Sequence, residues 1–462
     1  MYKSKFVKFA IALLISLSTT AYALEVDENE LKSTGTIDTV VFVNYTGPHA
    51  KIDSLNSIKK IGSDLGTVIA ADPEKMTNTG AANKYSVIHA IDPSESGKLD
   101  ADILLIGPNA TVDHIKNLRY IIASYLSSAY GYSEQDAETV AVFVTVYNAV
   151  YRGNTEYFAK KYKNIVNSNL TADKCGLALN YKDWPGKSQI VIPLYDVKGG
   201  LSSVDTSVIS DKEVVKHMQE DDDKNVESRK QMVDIKEREA EEATEKAQEA
   251  QKKAVEEQKK LQEEKQKTQE VKKEAEQAKK VAEKNPNDKK AQEEAAKKQE
   301  ELKAQEEKQA EQEEKTEEAK ETAAEKQAVA DKKTNEAQEE RKEIAKDQQE
   351  VIEKAIKDAA TPAVYGMELT DEDQLLSTLI KVNSQNGQII KTSPVTYIRN
   401  RTMFQAGENF IAIAGENKGN GAVKLVLLSP DTMEISAESN EIVHENSVLI
   451  QDGTDYYCVI QD

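Results

Sequence analysis

Apolar and polar positions follow two spacings over the first third of the chain, from Ile37 to about Val197. The runs "TVVFVNY", "SVIHAI" and "DILLIG" are continuously apolar, which predicts strands of a sheet that is covered on both faces. Two longer segments, "TVDHIKNLRYIIASYLSSAYG" and "SEQDAETVAVFVTVYNAVYRG", have apolar residues at helical spacing, and Ser133 is expected to cap the second helix. The pattern predicts an N-terminal α/β domain, a globular head that spans residues 24–210.

Residues 211–361 consist largely of Glu, Lys, Gln and Ala, which are strong helix formers. Glu and Lys recur three and four positions apart, so many ion pairs of about 0.2–0.5 kcal/mol each support a long helical rod. In its first half, small and apolar residues keep a heptad phase, which predicts a seam against a partner helix, as in a coiled coil. The seam consists of Ala240, Ala243, Ala247, Ala250, Ala254, Leu261, Val271, Ala275, Ala278 and Ala282.

The helix is predicted to break within the rod at Asn285, Pro286, Asn287 and Asp288. Pro286 suits the first position of a new helix, and it disfavours helical geometry at the preceding residue, Asn285. Asp288 favours a helix start because its negative charge complements the helix dipole. One helix should therefore end at this point and a second should begin.

A chain that folds back at the break would form an antiparallel hairpin, in which facing residues have numbers with a constant sum. A sum of 573 pairs Val271 with Leu302, two of the few large apolar residues of the rod, and it also pairs many alanines. The register has failures, since Leu261 would face Gln312. The hairpin is favoured, and a solvated single helix with a kink or an intermolecular coiled coil are the alternatives.

Residues 362–462 show short alternating runs typical of β structure. "LSTLIKVNSQNGQIIKTSP" predicts a hairpin with its turn at Asn386-Gly387. A repeat of 46 residues aligns "FQAGENFIAIAG" with "IQDGTDYYCVIQ", and such a period is typical of propeller blades. The segment holds barely two units, whereas a closed propeller needs at least about four. We therefore expect an open antiparallel module of blade-like repeats whose edges are covered by something else, with the head as the nearest candidate.

Composition and targeting signals restrict the location and the partners. Three lysines precede the apolar stretch "FAIALLISL", and "AYA" at positions 21–23 forms a cleavage signal, so residues 1–23 are predicted to be a signal peptide. No later apolar run is long enough to span a membrane, which predicts an exported protein without a transmembrane span; an uncleaved membrane anchor is the alternative. A net charge of −20 argues against nucleic acid or an anionic lipid surface as the main partner.

Two cysteines, Cys175 and Cys458, are too few for a disulfide framework in a chain of 462 residues. They lie in different predicted domains, so they could pair only if the two ends of the protein meet. The sequence leaves that question open.

Motifs that would carry chemistry are weak. "YKDWPGKS" ends like a phosphate-binding loop but has Tyr181 where the first glycine should be, and a tight turn is the better interpretation. "DPSESGKLDAD" resembles a calcium loop but has Ile103 where a glutamate is needed, so an acidic surface turn is favoured. His49, His89 and His114 lack paired metal-ligand spacing. We predict no catalytic residue, no cofactor site and no metal site.

Tyrosines cluster in the two predicted helices of the head, with Tyr120, Tyr125, Tyr147 and Tyr151 among them. At helical spacing they are typical of a core or an amphipathic surface. The sharper hypothesis is an interaction face, because tyrosine offers apolar area with a polar tip.

Several strings resemble the 83/100-kilodalton antigen family of spirochaetes: "NYTGPHAKIDSL", "TVYNAVYRGNTEYF", "GLALNYKDWPGKSQIVIPLYD" and "GGLSSVDTSVISDKEVVKHMQEDDDKN". The resemblance covers the chain from after the signal peptide to its end. It implies an exported antigen of the cell envelope whose rod varies most, and it transfers no functional residue.

These patterns together favour a non-enzymatic structural or binding protein of the periplasm or cell envelope, in which a helical hairpin links the head to the β module. Self-association or a protein partner is expected. Two alternatives stay open. The head could be an enzyme or small-ligand domain with a pocket formed by the loops after "VVFVNY" and "DILLIG", or the protein could be a surface adhesin that uses its tyrosine faces.

Overall fold

The structure is a computed structural model that describes residues 40–45, 47, 54–71, 84–112, 114–195, 203–415 and 423–461. The predicted signal peptide, residues 1–23, and His49 lie outside these residues. The chain divides into two compact units. One unit takes the described parts of Met1–Ile58, Thr111–Asn117 and Lys357–Asp462, and the other takes those of Lys59–Ala110 and Leu118–Ile356.

The larger unit contains a three-stranded sheet of β2 (Tyr85–Ala90), β3 (Asp100–Ile106) and β4 (Ser188–Leu194). β3 lies in the centre and pairs antiparallel with both neighbours. β4 is buried at every position and β3 at all but one, so the sheet is covered on both faces, as its continuous apolar character predicted.

Seven helices of ordinary length surround this sheet in the described part of the chain. They are α1 (Leu55–Ala71), α2 (Ile115–Tyr130), α3 (Glu134–Val150), α4 (Thr155–Lys161), α5 (Asn164–Asn167), α6 (Thr206–Ile209) and α7 (Lys212–Met218). α1 and α2 cross very closely, because a Cβ atom on Gly62 would lie 1.9 Å from the carbonyl oxygen of Ile121. Ser133 caps α3 by accepting a hydrogen bond from Asp136 N at 3.1 Å, which confirms the predicted helix start.

Two long helices complete the larger unit, α8 (Val226–Lys284) and α9 (Lys289–Ala360), of which the last turn of α9 is assigned to the smaller unit. Their polar composition and their length match the prediction of extended helical structure for residues 211–361. The N-terminal α/β part, the long helices and the C-terminal antiparallel sheet are thus all present.

The smaller unit is built on an eight-stranded antiparallel sheet. Its order is β1-β11-β10-β9-β8-β6-β5, with β7 paired to β6. The strands are β1 (Phe42–Asn44), β5 (Ala363–Asp371), β6 (Leu376–Asn383), β7 (Ile389–Thr392), β8 (Ile398–Ala406), β9 (Asn409–Ala414), β10 (Lys424–Leu428) and β11 (Ile435–Ser439). A separate hairpin follows, formed by β12 (Ile450–Asp452) and β13 (Asp455–Tyr457).

The strand β1 departs from the sequence-based expectation. "TVVFVNY" was expected to belong to the sheet of the head, yet Phe42, Val43 and Asn44 pair with Ser439, Glu438 and Ala437 of β11. A local pattern identifies a strand but not its neighbour, because the pairing joins residues almost 400 positions apart. The strands "VVFVNY" and "DILLIG" belong to different sheets, and the alternative pocket formed by the loops that follow them stays a prediction.

Apolar residues cover both faces of this sheet. Leu379, Ile398, Val426 and Met433 belong to one core cluster, against which Tyr45 packs. Ile411, Leu425 and Val443 belong to a second cluster, against which Phe42, Tyr456 and Cys458 pack. The strand β1 thus contributes one aromatic side chain to each core.

The repeat of 46 residues corresponds to two hairpins in the structure. "FQAGENFIAIAG" ends β8 and forms β9, and "IQDGTDYYCVIQ" contains β12 and β13. The described strands β1 and β5 to β11 nevertheless form one continuous sheet, and propeller blades are not shown.

Phe42 provides a test of the β1 pairing. Substitution of Phe42 by alanine removes a half-buried ring from a core and is expected to destabilise the smaller unit by about 1–3 kcal/mol. Amide hydrogen exchange of Ala437 to Ser439 in β11 should accelerate. Val41→Ala is the matched control, because the Val41 side chain is 51% exposed. Equal exchange in the two variants would show that β1 does not hold this edge.

Candidate functional site: the head and the two long helices

A buried carboxylate, that of Asp347 in α9, lies beside the start of α8. Its side chain accepts hydrogen bonds from Arg229 Nη1 of α8 at 2.6 Å, from Gln219 Nε2 at 2.7 Å and from Lys224 Nζ at 3.1 Å. Burial alone would raise the pKa of Asp347, but the hydrogen bonds from Arg229, Gln219 and Lys224 outweigh it and lower the pKa to about 2. The carboxylate therefore fixes α9 to α8 and to the chain that precedes α8.

A second set of ion pairs lies about three to four turns further along the two helices. Lys333 Nζ of α9 is 2.7 Å from Glu239 Oε2 of α8, and it lies 4.5 Å from the centre of the Tyr195 ring. Glu239 also accepts a hydrogen bond from Thr206 Oγ1 of α6 at 3.0 Å. The helices α8 and α9 are thus joined to the head by side chains from several of its elements.

Between Ala240 and Ala282 of α8, and between Leu302 and Ile344 of α9, buried positions recur at spacings of seven residues or a multiple of seven. In α8 they are Ala240, Ala247, Ala254, Leu261, Thr268, Ala275 and Ala282, with Ala250 between two of them. In α9 the corresponding positions are Leu302, Thr316, Ala323, Ala330, Ala337 and Ile344. The predicted seam residues in α8 are therefore buried or half-buried on one stripe of the helix.

Direct contacts join the two stripes. Ala250 and Ala254 of α8 form one apolar cluster with Ala323 and Ala319 of α9, and the facing pairs have residue numbers that sum to 573. Thr316 Oγ1 lies 3.3 Å from the carbonyl oxygen of Glu257, in the same register. Contacts at these levels require the two helices to run in opposite directions.

The residues Asn285, Pro286, Asn287 and Asp288 lie between the two helices, after Lys284 and before Lys289. Asn285 Nδ2 donates to the carbonyl oxygen of Val281 at 3.1 Å, and Asp288 Oδ1 accepts from Lys290 N at 3.0 Å. Gln292 Nε2 of α9 donates to the carbonyl oxygen of Ala282 in α8 at 3.0 Å. The side chains of this turn therefore bind the ends of the helices on either side of it.

The middle of the rod has polar residues where its ends have alanine. Gln312 Nε2 donates to the Glu257 carboxylate at 2.5 Å, and Gln305 Nε2 donates to Glu264. Thr316 is fully buried and donates to the carbonyl oxygen of Gln312 at 2.7 Å. Polar residues at seam positions reduce packing energy and restrict the register, since a shift would leave their groups unpaired.

The four tyrosines of the predicted interaction face have different environments. Tyr125 and Tyr147 are fully buried, so their rings contact the core and are not available to a partner. Tyr120 and Tyr151 are half-buried. Tyr151 stacks on Tyr157 with ring centres 3.7 Å apart, and both hydroxyls lie within hydrogen-bond distance of Asp211. Helical spacing alone could not distinguish these environments, because core and surface residues can share one stripe.

Asp102 of β3 is the centre of a buried polar network in the head. Its carboxylate accepts hydrogen bonds from Tyr125 and Tyr130, and it lies 2.6 Å from Nδ1 of His89. His89 Nε2 is buried without a hydrogen-bond partner among the described residues. Because Asp102 is fully buried, three donors are needed to replace the water that it loses on folding.

The loop that resembles a calcium site is occupied by an internal cation. Lys163 Nζ lies 2.6 Å from Asp100 Oδ2 and donates to the carbonyl oxygen of Asp92 at 2.7 Å. Asp92 N in turn donates to Asp100 Oδ1 at 2.9 Å. No sequence pattern pointed to this lysine, which lies more than 60 positions further along the chain. No group of three or more potential metal ligands occurs in the described ranges.

"YKDWPGKS" forms a tight turn on the surface of the head. Tyr181–Asp183 is a short 3-10 helix, and Lys187 Nζ lies 3.5 Å from Asp183 Oδ1 within the same loop. Trp184 is buried and donates through Nε1 to the carbonyl oxygen of Ala178 at 2.6 Å. The lysine of the motif is therefore paired inside the turn, as the simpler interpretation expected.

A polar groove of about 550 Å³ lies between α1, α2 and α3. Its floor is rich in serine, and Lys59 closes one end by pairing with Glu134. Partial burial raises the pKa of Glu138, which also lines the groove. The lining residues include Ser63, Ser124, Ser127, Ser128 and Tyr132.

Cys175 and Cys458 are both free thiols in this structure. Cys175 is buried in the head, and burial raises its pKa. Burial raises the pKa of Cys458 to about 11. Neither thiol is activated as a nucleophile, since an activated thiol has a lowered pKa.

Buried tyrosines make the head sensitive to alkali. Burial raises the pKa of Tyr125, Tyr130, Tyr147 and Tyr162 well above the ordinary value of 10.0. A group with a raised folded-state pKa contributes stability below its unfolded pKa, and this contribution is lost as the pH rises further. Above pH 10 the free energy of unfolding should therefore fall by about 1.4 kcal/mol per pH unit for each buried tyrosine.

Tyrosinate absorbance and Trp184 fluorescence, measured together against pH, check this prediction. The buried tyrosines should ionise only as the fluorescence reports unfolding. Tyr147→Phe should reduce the pH slope by about one proton. Ionisation of every tyrosine near pH 10 with a native fluorescence signal would contradict the prediction.

The described residues thus form a globular α/β part joined to two long charged helices, with a separate antiparallel β-sheet unit. No helix in the described part of the chain has an apolar stretch long enough to cross a membrane. A family model described as Borrelia P83/100 protein matches residues 29–462, and the chain belongs to this family. The resemblance inferred from the sequence is confirmed. Comparisons with curated proteins and with solved structures gave no match.

Proposed function

We propose that this protein is a non-enzymatic, exported structural or binding protein of the cell envelope, an antigen whose rod is an antiparallel coiled-coil hairpin. Membership of the P83/100 family supports the envelope location. The observation that carries the proposal is the attachment of both long helices to the head, through Thr206 with Glu239 of α8 and through Tyr195 with Lys333 of α9. Two long helices that are attached to a globular domain at one end can hold a binding surface at a fixed distance from that domain.

Several features support this function over an enzymatic one. The buried groups of the head are paired with one another: Asp102 with three donors, and Lys163 with Asp100. Groups held in this way stabilise the fold and are not presented to a substrate. The seven-residue spacing of buried positions on α8 and α9 supports coiled-coil packing, and the two copies of the 46-residue repeat support duplication of one hairpin unit within the β module.

A distance measurement tests the hairpin. Spin labels at Glu249 and Glu325, both exposed, should lie about 1–2 nm apart in dilute monomeric protein if α8 and α9 pack side by side. A continuous extended helix would separate them by about 11 nm at 1.5 Å per residue. A second labelled pair at Glu270 and Lys303, also exposed, is the matched control, because it lies nearer to the turn and should give the same short distance.

The absence of catalysis needs a separate test. Purified mature protein is assayed for hydrolase and transferase turnover. Turnover that a point mutation in the head abolishes, while Trp184 fluorescence shows a folded head, would overturn the proposal.

The polar groove supports a second candidate function, the binding of a small polar ligand by the head. A thermal-shift screen of the full chain with nucleotides, sugars and metal ions would reveal it. Stabilisation that disappears in Ser127→Leu, a variant that fills the groove, would favour this function. Exposure as an adhesin is distinguished by protease treatment of intact cells, since a protein that survives is not at the surface.

A further inference from the structure

The strand β5 forms an open edge of the eight-stranded sheet. It is nine residues long, and it has a strand neighbour on one side only in the part of the chain that the structure describes. The opposite edge strand, β1, has only three residues. Proteins usually protect an edge by making it short, by covering it, by a β-bulge or by placing lysine on it. The strand β5 contains neither lysine nor arginine, and its pairing with β6 is regular from Ala363 to Leu369, with a bulge only between Leu369 and Asp371.

The backbone groups that face outward on β5 follow from its pairing with β6. Ser384 N donates to the carbonyl oxygen of Pro362 at 2.9 Å, in register with the ladder between β5 and β6. Because hydrogen-bonded pairs alternate along an antiparallel ladder, even-numbered residues of β5 bond to β6 as far as Leu369, after which the register shifts by one residue at Thr370. The N–H and C=O groups of Tyr365, Met367 and Leu369 therefore point to the open side.

The same three residues carry apolar side chains on one face of β5. Met367 packs against the core cluster that includes Leu379 and Ile398. Tyr365 is 36% exposed and Leu369 is 37% exposed, so the sheet ends before this face of the core is covered. A further strand with apolar residues at matching positions would complete the cover.

We propose that β5 pairs antiparallel with β5 of a second copy of this chain. Met367 lies opposite the partner's Met367 on the two-fold axis, and Tyr365 lies opposite the partner's Leu369. The outward-facing N–H and C=O groups of these residues then bond to one another across the interface, and the two sheets become one. Assembly stops at a dimer, because each copy uses the same strand, β5, to bind the other.

Charge and pairing favour this occupant and this register. Val364 lies opposite the partner's Thr370, and Gly366 lies opposite the partner's Glu368. No like charges face each other, although the chain has a net charge of −20. Moving the axis to Leu369 would place Asp371 opposite the partner's Met367, which would lose an apolar pair. The strand is therefore complementary to itself in the register centred on Met367.

Sedimentation velocity of the full mature chain over a wide concentration range tests the proposal. A reversible monomer–dimer equilibrium is expected, without larger species. Two double variants at exposed positions test the register. V364K/T370K places two lysines opposite each other at two points of each dimer, whereas V364E/T370K places opposite charges there. The dissociation constants of the two variants should differ by at least about tenfold, with V364K/T370K the weaker.

The two variants are matched, because both replace the same side chains and both lose the hydrogen bond from Thr370 Oγ1 to the carbonyl oxygen of Thr396. Thermal unfolding of each variant monitors the fold. A wild-type chain that stays monomeric at every concentration overturns the proposal. Equal dissociation constants for the two variants, or open-ended assembly, overturn it as well, since each outcome assigns association to another surface.

Discussion

Replacement of Lys163 by methionine is expected to lower the free energy of unfolding of the head by about 3–5 kcal/mol. The Lys163 side chain is 5% exposed and lies 2.6 Å from Asp100, which is 1% exposed. Methionine fills much of the same space but leaves the carboxylate buried without its cation. Chemical denaturation followed by the fluorescence of Trp184, the only tryptophan of the chain, measures the change in the head.

A surface ion pair provides the matched control. Lys60 Nζ also lies 2.6 Å from a carboxylate, that of Asp64, but its side chain is 70% exposed. Lys60→Met should cost less than about 1 kcal/mol, because exposed pairs contribute little. The double variant Asp100→Asn with Lys163→Met should recover part of the loss, since it removes the uncompensated charge. Equal costs for Lys163→Met and Lys60→Met would refute the importance of this pair.

Replacement of Asp347 by alanine is expected to destabilise the base of the two long helices by about 3–5 kcal/mol. Arg229 is 3% exposed, and its Nη1 lies 2.6 Å from the Asp347 carboxylate. The substitution would remove this carboxylate and leave the guanidinium group buried without its anionic partner. Amide exchange in the first turns of α8 should accelerate, while exchange near the turn at Asn285 should stay unchanged. Glu350→Ala is the control, because Glu350 also pairs with Lys224 but its side chain is 45% exposed.

The same carboxylate predicts a response to acid. The folded-state pKa of Asp347 is about 2, below the ordinary value of 3.8, so its stabilising effect is complete above the unfolded pKa. The effect should be lost as the pH falls from about 4 to 2, at a cost of about 2 kcal/mol. Asp347→Asn should remove this part of the acid dependence and leave the remainder. An unchanged acid profile in this variant would contradict the role given to Asp347.

Sequence reasoning was most successful where the physical cause is local and periodic. The seven-residue spacing of Ala240, Ala247 and Ala254 predicted a buried stripe, and the structure places these residues on one. Ser133 was recognised as a helix cap because a cap depends on its immediate neighbours. The break at Asn285 to Asp288, between α8 and α9, could be predicted because the effects of Pro286 and Asp288 on a helix are also local.

Sequence reasoning was least successful for contacts between residues that are far apart in the sequence. β1 was assigned to the wrong sheet, because its apolar pattern suits either one. The pairing of Lys163 with Asp100 left no signal in the sequence, since a single lysine among polar residues is ordinarily exposed. Tyr125 and Tyr147 could not be separated from Tyr120 and Tyr151, because burial depends on which other helices and strands lie beside each ring.

The pairing of β1 with β11 also sets an order of events during synthesis. Phe42 precedes its partner Ser439 by almost 400 residues along the chain. At about 5–20 residues per second, the first of these strands waits on the order of 20–80 seconds before its neighbour exists. The sheet is therefore completed only after both long helices have been made, and until then the apolar strand β1 remains without its native neighbour.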